Sequence, residues 1–121
     1  MFVVTDHHSF ERTVTVKMPS PDQADAIIEQ SFRMTFLAVD QDEARAWDEE
    51  QAARSPEERR AHEHDFLIRV AKGWSDIVDA GKQPIPFGEA ALRQLLKRAW
   101  FERAVYEAYR AGMAAEPRLG N

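Results

Sequence analysis

At Asp40 the chain changes its period, and that change restricts the fold more than any other feature of the sequence. Upstream the residues alternate: Thr13-Val14-Thr15-Val16-Lys17-Met18 repeats every second position, and Ser31–Val39 sets Phe32, Met34 and Phe36 on one face against a solvated Arg33 and Thr35. Phe2-Val3-Val4 reads as a short first strand, followed by a loop over Asp6–Ser9. Pro19-Ser20-Pro21 ends the second strand, because proline has no ladder N–H and restricts the residue before it; Asp22–Gln30 then reads as a short helix. Downstream, Asp40 with Glu43 fits a capping box, and no proline interrupts the next fifteen positions, so a helix begins there.

A second helix start lies at Ser55-Pro56-Glu57-Glu58, where serine caps, proline suits the first helical position and Glu58 reaches back to the cap. Leu67, Val70, Ala71, Trp74, Ile77 and Val78 recur at three- and four-residue spacing, which predicts a helix ending near Asp79. Gly81 and Pro84-Ile85-Pro86 form an extended connector. Leu92, Leu95, Leu96 and Ala99 then build a helical stripe, which Phe101, Val105, Ala108 and Tyr109 continue to Gly112 past a bend near Trp100. Strands first and helices afterwards predict an α+β fold in a single domain: a small N-terminal antiparallel sheet (1–39), a helical body of about four helices (40–113) and a frayed tail (114–121).

The length of 121 residues supports one core, and 44% hydrophobic residues exceed what disordered chains carry. The absence of cysteine removes disulfides, thiolate zinc sites and cysteine nucleophiles. With no signal-peptide pattern and no long apolar run, the expectation is a cytoplasmic protein. The net charge of -5 argues against a phosphate-backbone binder. The charge is unevenly spread, with ten acids against four bases over residues 40–65 and three against five over 89–110, and self-association between the two stretches is one outcome of that asymmetry.

The constellations that could carry chemistry all have a plainer reading. In His62-Glu63-His64-Asp65 the two histidines, two apart on a helix, diverge by about 200°, unlike the four-residue spacing of a zinc helix. His7 and His8 lack identifiable partners, and Asp48-Glu49-Glu50 and Glu57-Glu58 diverge as a solvated face. None of the five serines sits in a nucleophile elbow, and no glycine-rich phosphate loop exists. Arg93, Lys97, Arg98, Arg103 and Arg110 are interleaved with Glu102 and Glu107, as on the outer face of an amphipathic helix. The expectation is therefore a binding protein and not an enzyme, with no catalytic, cofactor-binding or metal residues. Six large rings, Trp74, Phe87, Trp100, Phe101, Tyr106 and Tyr109, fall within 36 residues. They serve either as core or as anchors for a protein partner, with Trp100, Phe101, Tyr106 and Tyr109 the candidate partner-binding residues.

The run Val70-Ala71-Lys72-Gly73-Trp74-Ser75-Asp76-Ile77-Val78-Asp79-Ala80-Gly81-Lys82-Gln83-Pro84-Ile85-Pro86-Phe87 resembles the tail assembly chaperones of long-tailed bacteriophages and prophages. In that family a helix ending in tryptophan and an apolar pair runs into aspartate, glycine and a proline-flanked aromatic. The likeness continues through Leu92, Leu95 and Leu96 to an aromatic-rich terminal helix with Ala104 and Tyr109 and a short tail closing on Asn121, about half the chain. It gives Trp74, Asp79, Gly81, Pro84, Pro86 and Phe87 a structural role: Gly81 permits a turn, the prolines stiffen it, and Phe87 folds onto Trp74 to lock two helices. Gly88 departs from the serine, threonine or aspartate that would cap the next helix, at little cost.

The resemblance implies a protein absent from the mature virion that acts in the cytoplasm of the bacterial host. It would bind the tail tape measure protein, and the tail tube protein with it, keeping the former soluble until tube subunits polymerise around it. It leaves room for a homo-oligomer and calls for no cofactor. Without the motif, the same acidic α+β composition suits a small regulatory adaptor or antitoxin-like protein-binding module.

Overall fold

A computed structural model describes residues 1–117. The described elements run β1 (Ser9–Pro19), β2 (Ile27–Leu37), α1 (Gln41–Ala52), α2 (Pro56–Val70), β3 (Ala71–Ser75), α3 (Glu89–Leu96) and α4 (Ala99–Met113). The fold is α+β, with a three-stranded antiparallel sheet in the order β1-β2-β3 and four helices among the described residues.

The sheet grows from one long hairpin. β1 pairs with β2 in unbroken register from Ser9↔Leu37 to Pro19↔Ile27. The reversal between them is a turn and not the short helix that Asp22–Gln30 suggested: Ser20 Oγ accepts from the N–H groups of Asp22 and Gln23, and Asp25 takes a left-handed φ of 60°. Ile27–Gln30 are drawn into the strand because β1 offers them a ladder, and pairing overrides weak local preference. The strand expected at Phe2–Val4 does not form; these residues lie exposed ahead of β1.

α1 starts where the change of period places it, with the Asp40 carboxylate accepting from Glu43 N–H at 2.8 Å. Ser55 caps α2 in a full capping box with Glu58 and with Pro56 in the first turn. The helix stops at Val70, nine residues before the expected Asp79, and the chain passes directly into β3, which pairs with β2 through Met34↔Trp74 and Phe36↔Ala71. The register shifts between Thr35 and Phe36, leaving Lys72 as the extra residue of a bulge. Ala71 and Trp74 thus both sit opposite inward-facing residues of β2 although they are three positions apart, a spacing that imitates a helix. The stretch 40–113 is accordingly a helical body interrupted by the third strand.

Met34, Phe36 and Val14 from the sheet pack with Leu67 and Val70 of α2, Leu92 and Leu96 of α3, and Val105 of α4, all 1% exposed or less. Each such side chain stabilises the fold by about 1.5–3 kcal/mol through burial. Phe32 stacks on Phe101 with ring centroids 5.5 Å apart, and Phe36 meets Tyr109 edge-on at 5.5 Å. The stripe expected to run through 92–112 breaks at Lys97 and Arg98 into α3 and α4, close to the anticipated bend. Gly88 is the N-cap of α3 and gives it no side-chain hydrogen bond. At Gly112, α4 approaches β1 so closely that an added Cβ would overlap the Phe10 ring. Residues 114–116 of the expected frayed tail are tied down: Glu116 N–H bonds Ala111 O, and Glu116 O accepts from the Arg12 guanidinium at 2.7 Å. The remainder of that tail, 118–121, lies outside the described residues.

α1 differs from the other helices in having no buried residue. It is held by Trp47, whose ring lies 4.6 Å from His62 and 5.2 Å from Phe66, and by polar contacts from Glu43, Glu50 and Gln51 to α2.

Candidate functional site

The histidine cluster serves structure in two directions. His62, 7% exposed, bonds Gln51 through Nδ1 at 2.8 Å and Glu50 through Nε2 at 3.1 Å, tying α2 to α1. His64 faces the other way, with Nε2 3.3 Å from Glu102 Oε2 on α4, within ion-pair reach but off hydrogen-bond alignment. Glu63 lies near the same spot; its burial, then the charge of Glu102, push its carboxyl above the usual glutamate range. Among the described residues no three His, Asp or Glu side chains are placed to hold a metal ion. His7 and His8 are exposed in the N-terminal segment, the His8 carbonyl accepting from Ala38 N–H.

The residues from Trp74 to Phe87 form one braced unit. Ile85 N–H bonds Ile77 O and Asp79 N–H bonds Gln83 O at 2.9 Å each, so the connector doubles back as a miniature hairpin, with Val78 bridged to Pro84. Asp79 closes its tip twice, its carbonyl accepting from Lys82 N–H and its carboxylate from Gln83 N–H. The left-handed position of the turn is Lys82, with φ 64°, and not Gly81. Trp74 Nε1 donates to Ile85 O at 2.7 Å, and Phe87 meets the Trp74 ring edge-on at 5.0 Å. Trp74 stands on a strand and not at the end of a helix, so this bracing fastens the connector to β3 instead of locking two helices together.

Two open clefts are lined by aromatic side chains. The first, about 250 Å³, lies between α1, α2 and α4 and is lined by Trp47, His62, Phe66, Tyr106, Tyr109 and Met113. The second, about 380 Å³, lies between the sheet, the connector and the α3–α4 junction, with Met18, Phe32, Ile77, Ile85, Leu95 and Trp100 in its wall. The four candidate anchors separate accordingly. Trp100 is half-buried on the second cleft and Tyr106 is 37% exposed on the first. Phe101 and Tyr109, each 5% exposed, are core residues and not free anchors, because α4 turns them onto Phe32 and Phe36. Burial pushes the Tyr109 hydroxyl above the usual tyrosine range. Trp47 and Met113 were missed by sequence reasoning, and the available signal was a lone tryptophan in the otherwise polar run Gln41–Ala52.

No protein-family model, curated protein or solved structure matches this chain.

Proposed function

We propose that the chain is a tail assembly chaperone of a long-tailed bacteriophage or prophage that holds the tape measure protein, and the tail tube protein with it, during tail morphogenesis. The observation that supports this reading is the connector. The residues that carry the resemblance, Trp74 to Phe87, are spent on bracing a rigid hairpin, and Ile77, Val78 and Ile85 of that hairpin wall an open apolar cleft beside Trp100.

A tape measure protein is a long helical chain whose apolar stripe needs cover until the tube encloses it. An apolar cleft with a tryptophan at its wall can take such a stripe by burying side chains, with no bond made or broken. The exposed acids of α1 keep the loaded complex dispersed. No helix among the described residues is long and apolar enough to cross a membrane, and the reading places the protein in the host cytoplasm and outside the finished virion.

Co-expression with tape measure fragments tests the proposal. The expected result is that fragments insoluble alone co-elute with this chain as a defined complex. Failure of fragments tiling the whole tape measure protein to be captured would overturn it.

A further inference from the structure

The outer edge of β1 pairs with no other strand among the described residues. Ala38 N–H bonds His8 O at one end of the hairpin and Ser20 N–H bonds Ala26 O at the other, which fixes the phase of the ladder: even-numbered residues of β1 bond β2. The N–H and C=O groups of Ser9, Glu11, Thr13, Thr15 and Lys17 therefore point away from the sheet, and among the described residues no strand pairs with them. Long edges are normally protected by a bulge, an internal proline, shortness or charged side chains. Of these β1 has only the charges, at Glu11, Arg12 and Lys17: it is 11 residues long, in unbroken register with β2, and its proline comes only at the last position.

A second observation supplies the occupant. Met1, Phe2, Val3 and Val4 are 118%, 88%, 69% and 83% exposed, four consecutive apolar side chains that bury almost nothing. Phenylalanine, valine and threonine are strong strand formers, yet among the described residues Phe2-Val3-Val4-Thr5 is paired with no strand. A run of exposed apolar residues and an unpaired strand edge are complementary needs, and strand addition answers both.

We propose that residues 2–5 of a second copy add as a strand to the outer edge of β1, and that reciprocal exchange of these arms builds a symmetric dimer. Four residues of strand span about 13 Å, which fits beside the Ser9–Thr15 portion of the edge. Main-chain bonds from two or three successive residues of the set Ser9, Glu11, Thr13 and Thr15 hold the arm. Its alternate side chains face the two sides of the sheet, so Phe2 and Val4 share one side and Val3 the other. The inference does not depend on the chaperone reading.

Two measurements on the full chain test it. Light scattering after size exclusion is expected to give twice the chain mass for the natural sequence and the single-chain mass for Val3→Pro and for Thr13→Pro. In the second variant proline removes an outward N–H that β2 does not use, and circular dichroism checks that the sheet persists. The chain has no cysteine, so single-cysteine chains can be mixed and oxidised. Val3→Cys is expected to cross-link to one of Ser9→Cys, Glu11→Cys, Thr13→Cys or Thr15→Cys, and not to Glu29→Cys on β2. A single-chain mass at every concentration, a dimer unaffected by Val3→Pro, or cross-linking no greater than to Glu29→Cys each overturns the proposal.

Discussion

Gly112 gives the sharpest test of the packing between α4 and β1, because two effects on it have opposite sign. Helix propensity predicts that Gly112→Ala stabilises, by up to about 1 kcal/mol. Packing predicts the reverse: the new methyl would overlap the half-buried Phe10 ring, which packs beside Phe36 at 5.6 Å and Tyr109 at 6.3 Å and would have to shift. Overpacking of this kind costs about 1–3 kcal/mol. Gly112 lies one residue from the end of α4, where the propensity gain is reduced, so packing prevails. The expected net loss is about 1 kcal/mol, a fall of roughly 4 °C in melting temperature for a domain of this size. A double-mutant cycle with Phe10→Ala isolates the cause. In that background the clash has no partner, and Gly112→Ala should become neutral or stabilising. Thermal and urea unfolding of the four proteins, followed by circular dichroism, supplies the measurement. A raised melting temperature for Gly112→Ala alone, or the same loss with and without the Phe10 ring, would refute the reasoning.

Other expectations follow from single contacts. Lys82→Gly should raise stability by about 1 kcal/mol in urea titration, since the left-handed φ of 64° costs roughly that much for a side chain with a Cβ. Ser55→Ala should cost about 1 kcal/mol by removing the capping box of α2. Trp100→Ala should weaken capture of a tape measure fragment by tenfold or more in a pulldown titration, about 1.4 kcal/mol, while Phe101→Ala should lower stability by about 3 kcal/mol whether or not a partner is present. Glu63 has its carboxyl pKa raised in the folded state, so the folded protein binds more protons than the unfolded one between the ordinary and raised values, and stability falls as pH climbs through that window. Glu63→Gln should therefore be more stable than the natural chain at neutral pH, with the gain vanishing below the ordinary glutamate range; melting curves from pH 3 to pH 8 would show the crossover or its absence.

What could be read from the sequence was whatever is decided locally. The start of α2 is set by four adjacent residues, and Ser55 with Glu58 closes the capping box through contacts that need no distant partner. β3 was illegible for the opposite reason. Ala71 and Trp74 sit three apart, a spacing shared by a helix and by a bulged strand, and only the open side of β2 decides between them. Phe2–Val4 failed as a strand because a strand is a pairwise property, and among the described residues no strand pairs with it. For the candidate site, residue type identified aromatic surface on α4, but separating Trp100 from Phe101 required the rotation of that helix about its axis, which the stacking of Phe101 on Phe32 settles. Trp47 escaped notice because it is alone on α1, and the cleft it lines is made by residues from three helices.

The loose seating of α1 has a kinetic consequence. With no buried residue, and held to α2 by one aromatic side chain and polar contacts, its amides should be protected by far less free energy than those of β2 or α4. Hydrogen exchange should therefore find Ala44–Ala52 opening in isolation while the core stays closed. Such an opening takes Trp47 away from Phe66 and removes one wall of the first cleft. The cleft can then change width at the expense of one peripheral helix, leaving the sheet and α4 undisturbed.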